Sequence, residues 1–277
     1  MANLRNQAKT TAIRRVSYSR PVSRGGPSVL PLLVYLVAGL LSPSLLRGQE
    51  LRAFSFAAEN DGLAFWIPPH QRTDWYYTHG TKIDVVFASA LPGSSVLGGD
   101  LAPACLATDQ TGPCSLTRNR LGQSIFTTEA LFTEPPPASD RPYAGWLYLG
   151  FSAIRLEERR VRRLGLDFGV TGGPSLAGPL HKWFHRSLGK HEPVGWDSQI
   201  PFELAFLFTF ENHQASTLGE DSDGFTLRLE HRGILQAGTL RTGALGGLSF
   251  QAGWHAPPFL EWAGVRPKQG YFQVTLG

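Results

Sequence analysis

The sequence has little charge, few cysteines and, beyond its first 49 residues, no long apolar run. Only 17% of its 277 residues are charged, whereas glycine (31 residues) and aromatic residues (11%) are plentiful. A disordered chain shows the opposite balance, so this composition predicts a folded protein. The net charge of +4 does not indicate nucleic-acid binding, because residues 1–26 contribute six basic residues and no acidic one, which leaves about −2 for the rest.

The N-terminus has the pattern of an export signal. Its basic stretch is followed at 29–41 by about a dozen mostly apolar residues. That length is typical of a signal peptide and short of the ~20 residues of a membrane-spanning helix, and no later run approaches it. We therefore predict a signal peptide over residues 1–49, with no defined cleavage site, and one domain over residues 50–277. An uncleaved membrane anchor is the alternative.

Two cysteines, Cys105 and Cys114, lie nine positions apart in a stretch rich in proline, glycine and threonine. In an exported chain this spacing favours one small disulfide-closed loop. Metal binding is less favoured, because the nearest histidine is distant in sequence. Two free thiols are the other alternative.

From residue 50 onward, bulky apolar residues alternate with small or polar ones. The segments 164–171, 202–211 and 225–230 place an apolar residue at every second position. Period two indicates β-strands that have one apolar and one polar face. In a soluble sandwich the apolar face is the core, whereas in a membrane barrel it faces lipid and the polar face lines the lumen.

Three features favour the membrane barrel over the sandwich. The first is the export signal, and the second is the alternation of Gly, Asp and Glu with bulky residues inside the strands. The third is a set of aromatic residues near predicted strand ends, as in interfacial girdles. We predict an all-β, transmembrane antiparallel β-barrel over residues 50–277, integral to the outer membrane. The aromatic residues are Trp146, Tyr148, Trp254 and Trp262.

Bacterial barrels favour even strand numbers, so we expect ten or twelve strands, with at least one near 254–265. Long loops are predicted at 60–77, 91–118 and 127–142, and a short helix over Leu180–Leu188. The other predicted strands are 51–58, 79–89, 120–126, 144–156, 161–171, 200–211, 224–232, 238–251 and 269–276.

Four polar motifs lie at predicted strand ends or in loops. In type and order they resemble the outer-membrane lipid A 3'-O-deacylases. That family has an Asn-Asp pair after its first strand, Tyr-Thr-x-Gly opening the second, an Asp-Arg-Pro-Tyr-Ala-Gly-Trp-like run, and a helical histidine before Gly-Trp-Asp-x-Gln. The resemblance covers roughly residues 51–211, and the motifs are specific jointly rather than singly. They are Glu59-Asn60-Asp61, Tyr77-Thr78-His79-Gly80, the run from Asp140 to Trp146, and His185-Arg186 with the segment 195–199.

The resemblance implies a barrel of about twelve strands, with its site on the outer face and a short helix in an extracellular loop. It also implies calcium-dependent hydrolysis of the 3'-linked acyl (acyloxyacyl) ester of lipid A, the lipid part of lipopolysaccharide in the outer leaflet. By the same resemblance His185 is the general base, while Asn60, Asp61 and Thr78 hold the attacking water. Asn60 and Asp61 are the implied calcium ligands. Supporting or substrate-binding roles are implied for Asp140, Arg141, Tyr143 and Arg186.

Ester hydrolysis requires residues of these types, whether or not the resemblance holds. Ester hydrolysis near neutral pH requires a base that titrates there, as histidine does. Calcium held by oxygen ligands can stabilise developing negative charge. The chain has no Gly-x-Ser-x-Gly motif that would indicate a serine nucleophile.

Each motif taken alone has a plainer interpretation. His181 and His185 are four residues apart and share one helix face, where such a pair is commonly a surface feature and sometimes a zinc site. The segment 60–62 is a turn signal. Asp140 with Arg141 is compatible with a surface ion pair, and His79 and His191 are interpreted as incidental.

Two other functions remain open at the level of sequence. One is a barrel of the same family with lost or altered lipid activity. The other is a passive structural or channel barrel, although a channel needs a wider lumen than this length readily supplies. A nucleic-acid partner is not expected.

Overall fold

A computed structural model describes residues 50–60, 78–89, 97, 102–105, 112–254 and 272–276. The predicted signal peptide at 1–49, Asp61 and Trp262 lie outside these residues. In the described part of the chain, no helix is long and apolar enough to cross a membrane.

The described strands form one nine-stranded sheet in which each strand pairs antiparallel with the next along the chain. This up-and-down order is the one predicted for a barrel, because every connection joins neighbouring strands. Eight of the strands have at least ten residues, enough for a tilted strand to cross a bilayer. The strands are β1 (Glu50–Asn60), β2 (His79–Ala88), β3 (Cys114–Phe126), β4 (Ala144–Glu157), β5 (Arg160–Thr171), β6 (Leu204–Glu220), β7 (Phe225–Gly238), β8 (Gly243–Trp254) and β9 (Phe272–Leu276).

The expected count of ten or twelve strands differs from the nine that the described residues form. Part of the reason is that long connections, such as 127–143 and 172–203, take up residues that further strands would need. Individual strands are also long, and β6 alone contains 17 residues. The further strand that we expected near 254–265 lies outside the described residues.

The alternation along β6 shows which face of the sheet is apolar. Phe206, Phe208 and Phe210 are 41%, 49% and 37% exposed, whereas Thr209 and Glu211 between and beside them are buried. A soluble sandwich would bury the phenylalanines and expose the polar residues. The apolar face therefore points outward and the polar face inward, as the sequence predicts for a membrane barrel. The outward set also includes Leu51, Phe54, Phe56, Phe151, Phe168, Leu235, Leu245, Leu248 and Phe250.

Charged side chains on the inward face are paired between strands. Arg120 of β3 donates two hydrogen bonds to Asp84 of β2, at 2.6 and 2.7 Å. Glu211 of β6 accepts from Arg163 of β5 at 2.7 Å and from Arg232 of β7 at 2.5 Å. These charge-assisted bonds tie neighbouring strands together and satisfy groups that are costly to bury alone.

Two of the predicted girdle residues lie on the inward face of the sheet instead. Trp146 and Tyr148 are 9% and 5% exposed and stack with ring centroids 3.9 Å apart. Their positions in β4 share the inward face, where Tyr148 occupies the space beside Gly122, and the outward face of β4 carries Phe151. Trp254, at the end of β8, is 50% exposed and fits the girdle prediction.

The predicted disulfide between Cys105 and Cys114 is present, with Cα atoms 5.0 Å apart. It lies where β2 ends and β3 begins, packed against Ala88, Leu116 and Leu156. The short turns after β4 and β6 lie at this same end of the sheet.

Candidate active site

The predicted site residues lie at the other end of the sheet. Asn60 ends β1, Thr78 directly precedes β2 and Tyr143 directly precedes β4. The helix α1 (Ala177–Ser187), which carries His185, lies in the connection between β5 and β6 at this end, so the helix predicted over 180–188 is confirmed with an earlier start. The connections 127–143 and 172–203 lie at this end, whereas the connection from β2 to β3 lies at the other. Long connections are typical of the extracellular end of bacterial barrels. We call this end the outer rim.

Residues 173–187, a short helical turn followed by α1, pack against the outward face of the sheet. We call them the helical segment. Gln123 of β3 donates from Nε2 to the Ser175 carbonyl at 2.7 Å, and Ile125 is only 1% exposed. A Cβ atom on Gly145 of β4 would lie 2.1 Å from the Ser175 hydroxyl. These positions share the outward parity that the exposed Phe151 shows in β4. The helical segment therefore covers part of the wall that elsewhere carries exposed apolar side chains.

An aromatic cluster seats α1 on that wall. Ala177 and Tyr143 are fully buried and Trp196 is 2% exposed. The rings of Tyr143 and Trp196 have centroids 4.9 Å apart. Gly178 lets α1 approach closely, because a Cβ atom there would lie 3.1 Å from the Trp196 indole. Leu176, in the left-handed conformation with φ of 58°, turns the chain into the helix.

The hydrogen bond of His185 fixes which of its ring nitrogens is available. Its Nδ1 lies 2.7 Å from the main-chain carbonyl oxygen of His191. A carbonyl oxygen only accepts, so Nδ1 carries the hydrogen and the neutral ring presents its lone pair at Nε2. This is the form that a general base requires. His191, interpreted as incidental from the sequence, contributes this carbonyl.

His181 is buried, and therefore not the surface residue that helix spacing alone suggested. It is 4% exposed, and its Nδ1 accepts a hydrogen bond from Trp196 Nε1 at 3.2 Å. Its ring contacts His185 edge to face, with centroids 4.6 Å apart. Trp196 lies in the motif at 195–199, but the sequence does not predict a role for it. Trp196 thus holds His181 in place, and His181 in turn packs against His185.

Thr78 is buried beside a second threonine. Its Oγ1 lies 2.6 Å from the Oγ1 of Thr127, which directly follows β3. Thr127 is fully buried, and no motif in the sequence points to it. Asn60 pairs with His79 in the register of β1 and β2, which places it one position from Thr78 across the two strands.

A contact between rings connects α1 to the start of β2. The His79 and Phe184 centroids lie 6.0 Å apart. Phe184 adjoins His185 in sequence, as His79 adjoins Thr78. The helix with the predicted base thus lies beside the strand ends with the predicted polar residues. Asp61, the predicted carboxylate of this group, lies outside the described residues.

Asp140 and Tyr143 brace the connection between β3 and β4. Asp140 accepts from the main-chain nitrogens of Ala130 and Arg141, at 3.2 and 2.8 Å. Tyr143 donates from its hydroxyl to the Leu131 carbonyl at 2.9 Å, and burial raises the pKa of this phenol. Their contacts support this loop, and Asp140 also lines the cleft that the loop encloses. This loop surrounds an open cleft of about 740 Å³, whose lining includes Thr127, Glu129 and Arg141.

Arg186, the last predicted site residue, is exposed and paired. Its Nε donates to the Glu192 carboxylate at 2.8 Å, and this hydrogen bond holds the pKa of Glu192 below its ordinary value. The pair spans the same turn that the His185–His191 bond closes. Arg186 therefore helps to shape the segment after α1. Among the described residues, no group of three or more His, Cys, Asp or Glu side chains is placed to hold a metal ion.

Comparison with known proteins fits this architecture. The model of the family described as outer membrane protein LpxR matches residues 32–276. The chain belongs to the LpxR family. Among solved structures it is similar to LpxR from Salmonella typhimurium, with a TM-score of 0.56 and 16% identity over 72% of this chain and 63% of that chain. No curated protein matches the chain.

The family and the shared fold establish an all-β outer-membrane barrel. The resemblance seen in the sequence motifs is therefore confirmed at the level of the family. The described match spans less than two thirds of the length of the Salmonella structure.

Proposed function

We propose that this member of the LpxR family is a lipid A deacylase. It removes the 3'-linked acyl (acyloxyacyl) group of lipid A in the outer leaflet by ester hydrolysis. One observation carries the proposal: His185 lies on a helix seated on the outward wall, at the outer rim, in the tautomer that a general base needs. A lipid ester in the membrane reaches this wall without entering the barrel.

In the proposed reaction a water molecule attacks the ester carbonyl carbon. Its proton passes to Nε2 of His185 as the new carbon–oxygen bond forms. The bond to the 3'-oxygen then breaks, and the proton returns to that oxygen, which leaves a free hydroxyl and a fatty acid. The carbonyl of His191 keeps the ring oriented, and it stabilises the imidazolium that forms in between.

Calcium is the proposed cofactor, and the available donors suit it. Asn60, Asp61 and Thr78 offer amide, carboxylate and hydroxyl oxygens, which are hard ligands that calcium accepts in irregular geometry. The register brings the end of β1 beside the start of β2, so Asn60 and Thr78 come from adjacent strands. When bound, calcium would supply positive charge that stabilises the developing oxyanion. Zinc is disfavoured because His181 is committed to Trp196 and His185 must exchange a proton.

A channel function receives no comparable support. The inward charges of Asp84, Arg120 and Glu211 are engaged in ion pairs across strands. Such pairs occupy the interior with side chains, whereas a conducting pore presents its charges to water.

Mass spectrometry of lipid A tests the proposed function. Cells that express the protein should yield lipid A lacking the 3'-linked acyl or acyloxyacyl group, and cells without it should retain that group. Cells that express a folded His185→Ala variant serve as the control and should resemble cells without the protein. Identical lipid A with and without the wild-type protein would contradict the proposal.

A further inference from the structure

The second half of α1 and the residues just after it carry exposed apolar and basic side chains. Trp183 is 57% exposed and Leu188, just beyond the helix, is 53% exposed. Lys182 is partly exposed and Lys190 is exposed. We call these four residues the α1 outer surface. Exposed tryptophan and leucine side chains, interspersed with lysines in one helical stretch, are typical of a helix that lies at a membrane surface.

The position of α1 indicates what surrounds this surface. The inner side of the helical segment covers Gln123 and Ile125 on the outward face of β3. The same face carries exposed Phe151 and Phe168 farther along the neighbouring strands, stacked with centroids 6.1 Å apart. Outward side chains at that depth meet lipid. The α1 outer surface therefore lies beside the lipid-facing wall, at the outer rim.

The chemistry of the surface matches the edge of a bilayer. Tryptophan favours the headgroup level, where its ring is in apolar surroundings and its N–H is in water. Lysines at that level attract anionic lipid phosphates while their stems lie along apolar surface. Arg186 adds little, because its charge is paired with Glu192. The segment from residue 177 to 192 nonetheless carries three basic residues against one acidic residue.

We propose that the α1 outer surface is embedded in the headgroup region of the outer leaflet and binds anionic lipid there. Trp183 and Leu188 enter the boundary between headgroups and acyl chains, and Lys182 and Lys190 contact phosphates. The proposal does not depend on deacylase activity, since a barrel of this shape would dock its helix in the same way if it were inactive.

Fluorescence quenching in lipid nanodiscs tests the proposal. Both native cysteines are in the disulfide, so a Trp183→Cys variant offers one reactive thiol for an environment-sensitive label. The matched control is Asp223→Cys, in the exposed turn between β6 and β7 at the opposite end. Quenching is measured with aqueous iodide and with lipids brominated near the headgroup. Leu188→Cys provides a second reporter if Trp183→Cys does not fold.

We expect the label at 183 to be quenched several-fold less by iodide than the label at 223, and several-fold more by brominated lipid. Anionic lipid should increase this difference relative to zwitterionic lipid, and the double variant Lys182→Gln/Lys190→Gln should remove the increase. Equal iodide quenching at 183 and 223 would overturn the proposal. Protection from both quenchers would also overturn it, because the surface would then be covered by protein, such as a second copy of the chain.

Discussion

Replacement of His185 by glutamine separates its basicity from its hydrogen bond. The glutamine amide can still donate to the His191 carbonyl, which His185 Nδ1 approaches at 2.7 Å. It has no nitrogen that can accept a proton from water. The His185→Gln variant should therefore keep the conformation of the segment after α1 and lose the chemical step.

The size of the loss follows from the role. A positioned general base contributes about 10²–10⁴-fold to the rate, which corresponds to about 3–5 kcal/mol of activation free energy. We expect kcat to fall by that factor and KM to change little, because the imidazole acts in the transition state rather than in binding. The assay is release of fatty acid from purified lipid A by the reconstituted protein, with folding checked by heat-modifiable migration.

The matched control is His191→Ala. The bond to His185 uses the main-chain carbonyl of residue 191, so removal of the imidazole leaves that acceptor in place. The loss of its edge contact with Phe132, at 6.3 Å, should have only a small effect on kcat. A folded His185→Gln variant with full activity would refute the assignment of the base. An equal loss in both variants would refute the role given to the carbonyl.

Three further predictions follow from the site. Calcium-selective chelation should stop hydrolysis, and added calcium should restore it. The Asp61→Asn variant should require a higher calcium concentration for the same rate. Full activity in calcium-free buffer would contradict this prediction. Gly145→Ala should lower the free energy of unfolding by about 1–3 kcal/mol, because the new Cβ meets the α1 segment, whereas Gly233→Ala, with nothing within 4 Å, should cost much less by thermal unfolding. Trp196→Phe should cost about 1 kcal/mol of stability by removing the hydrogen bond to His181, and a kinetic assay should show kcat reduced more than KM.

The sequence predicts the strands well where period two is strong. The predicted segment 161–171 corresponds to β5, and the predicted segment 144–156 to β4. Each end agrees with the structure to within one residue. The end of β6 was missed, because its apolar alternation stops near Phe210 while the strand continues to Glu220 with polar residues on both faces. Periodicity reports only the part of a strand that crosses the apolar layer, and hydrogen bonding continues beyond it.

The candidate site can be predicted from the sequence only in part, for a physical reason. His185 and Thr78 are candidates because their motifs are local in sequence. Thr127 and Trp196 act through contacts with residues 49 and 15 positions away, which only the fold brings together. The inward direction of Trp146 was missed for a related reason, since aromatic composition near a strand end does not reveal which face a residue occupies.

The seat of α1 on β3 and β4 gives this barrel a front and a back in the plane of the membrane. Along the described strands the outward positions carry exposed apolar side chains, whereas the helix, the polar strand ends and the open loop cleft lie together in one sector. Under the proposed function, a lipid that diffuses laterally in the outer leaflet reaches the candidate site from that sector. Neighbouring proteins that pack against the opposite side of the barrel would then leave the candidate site open to lipid.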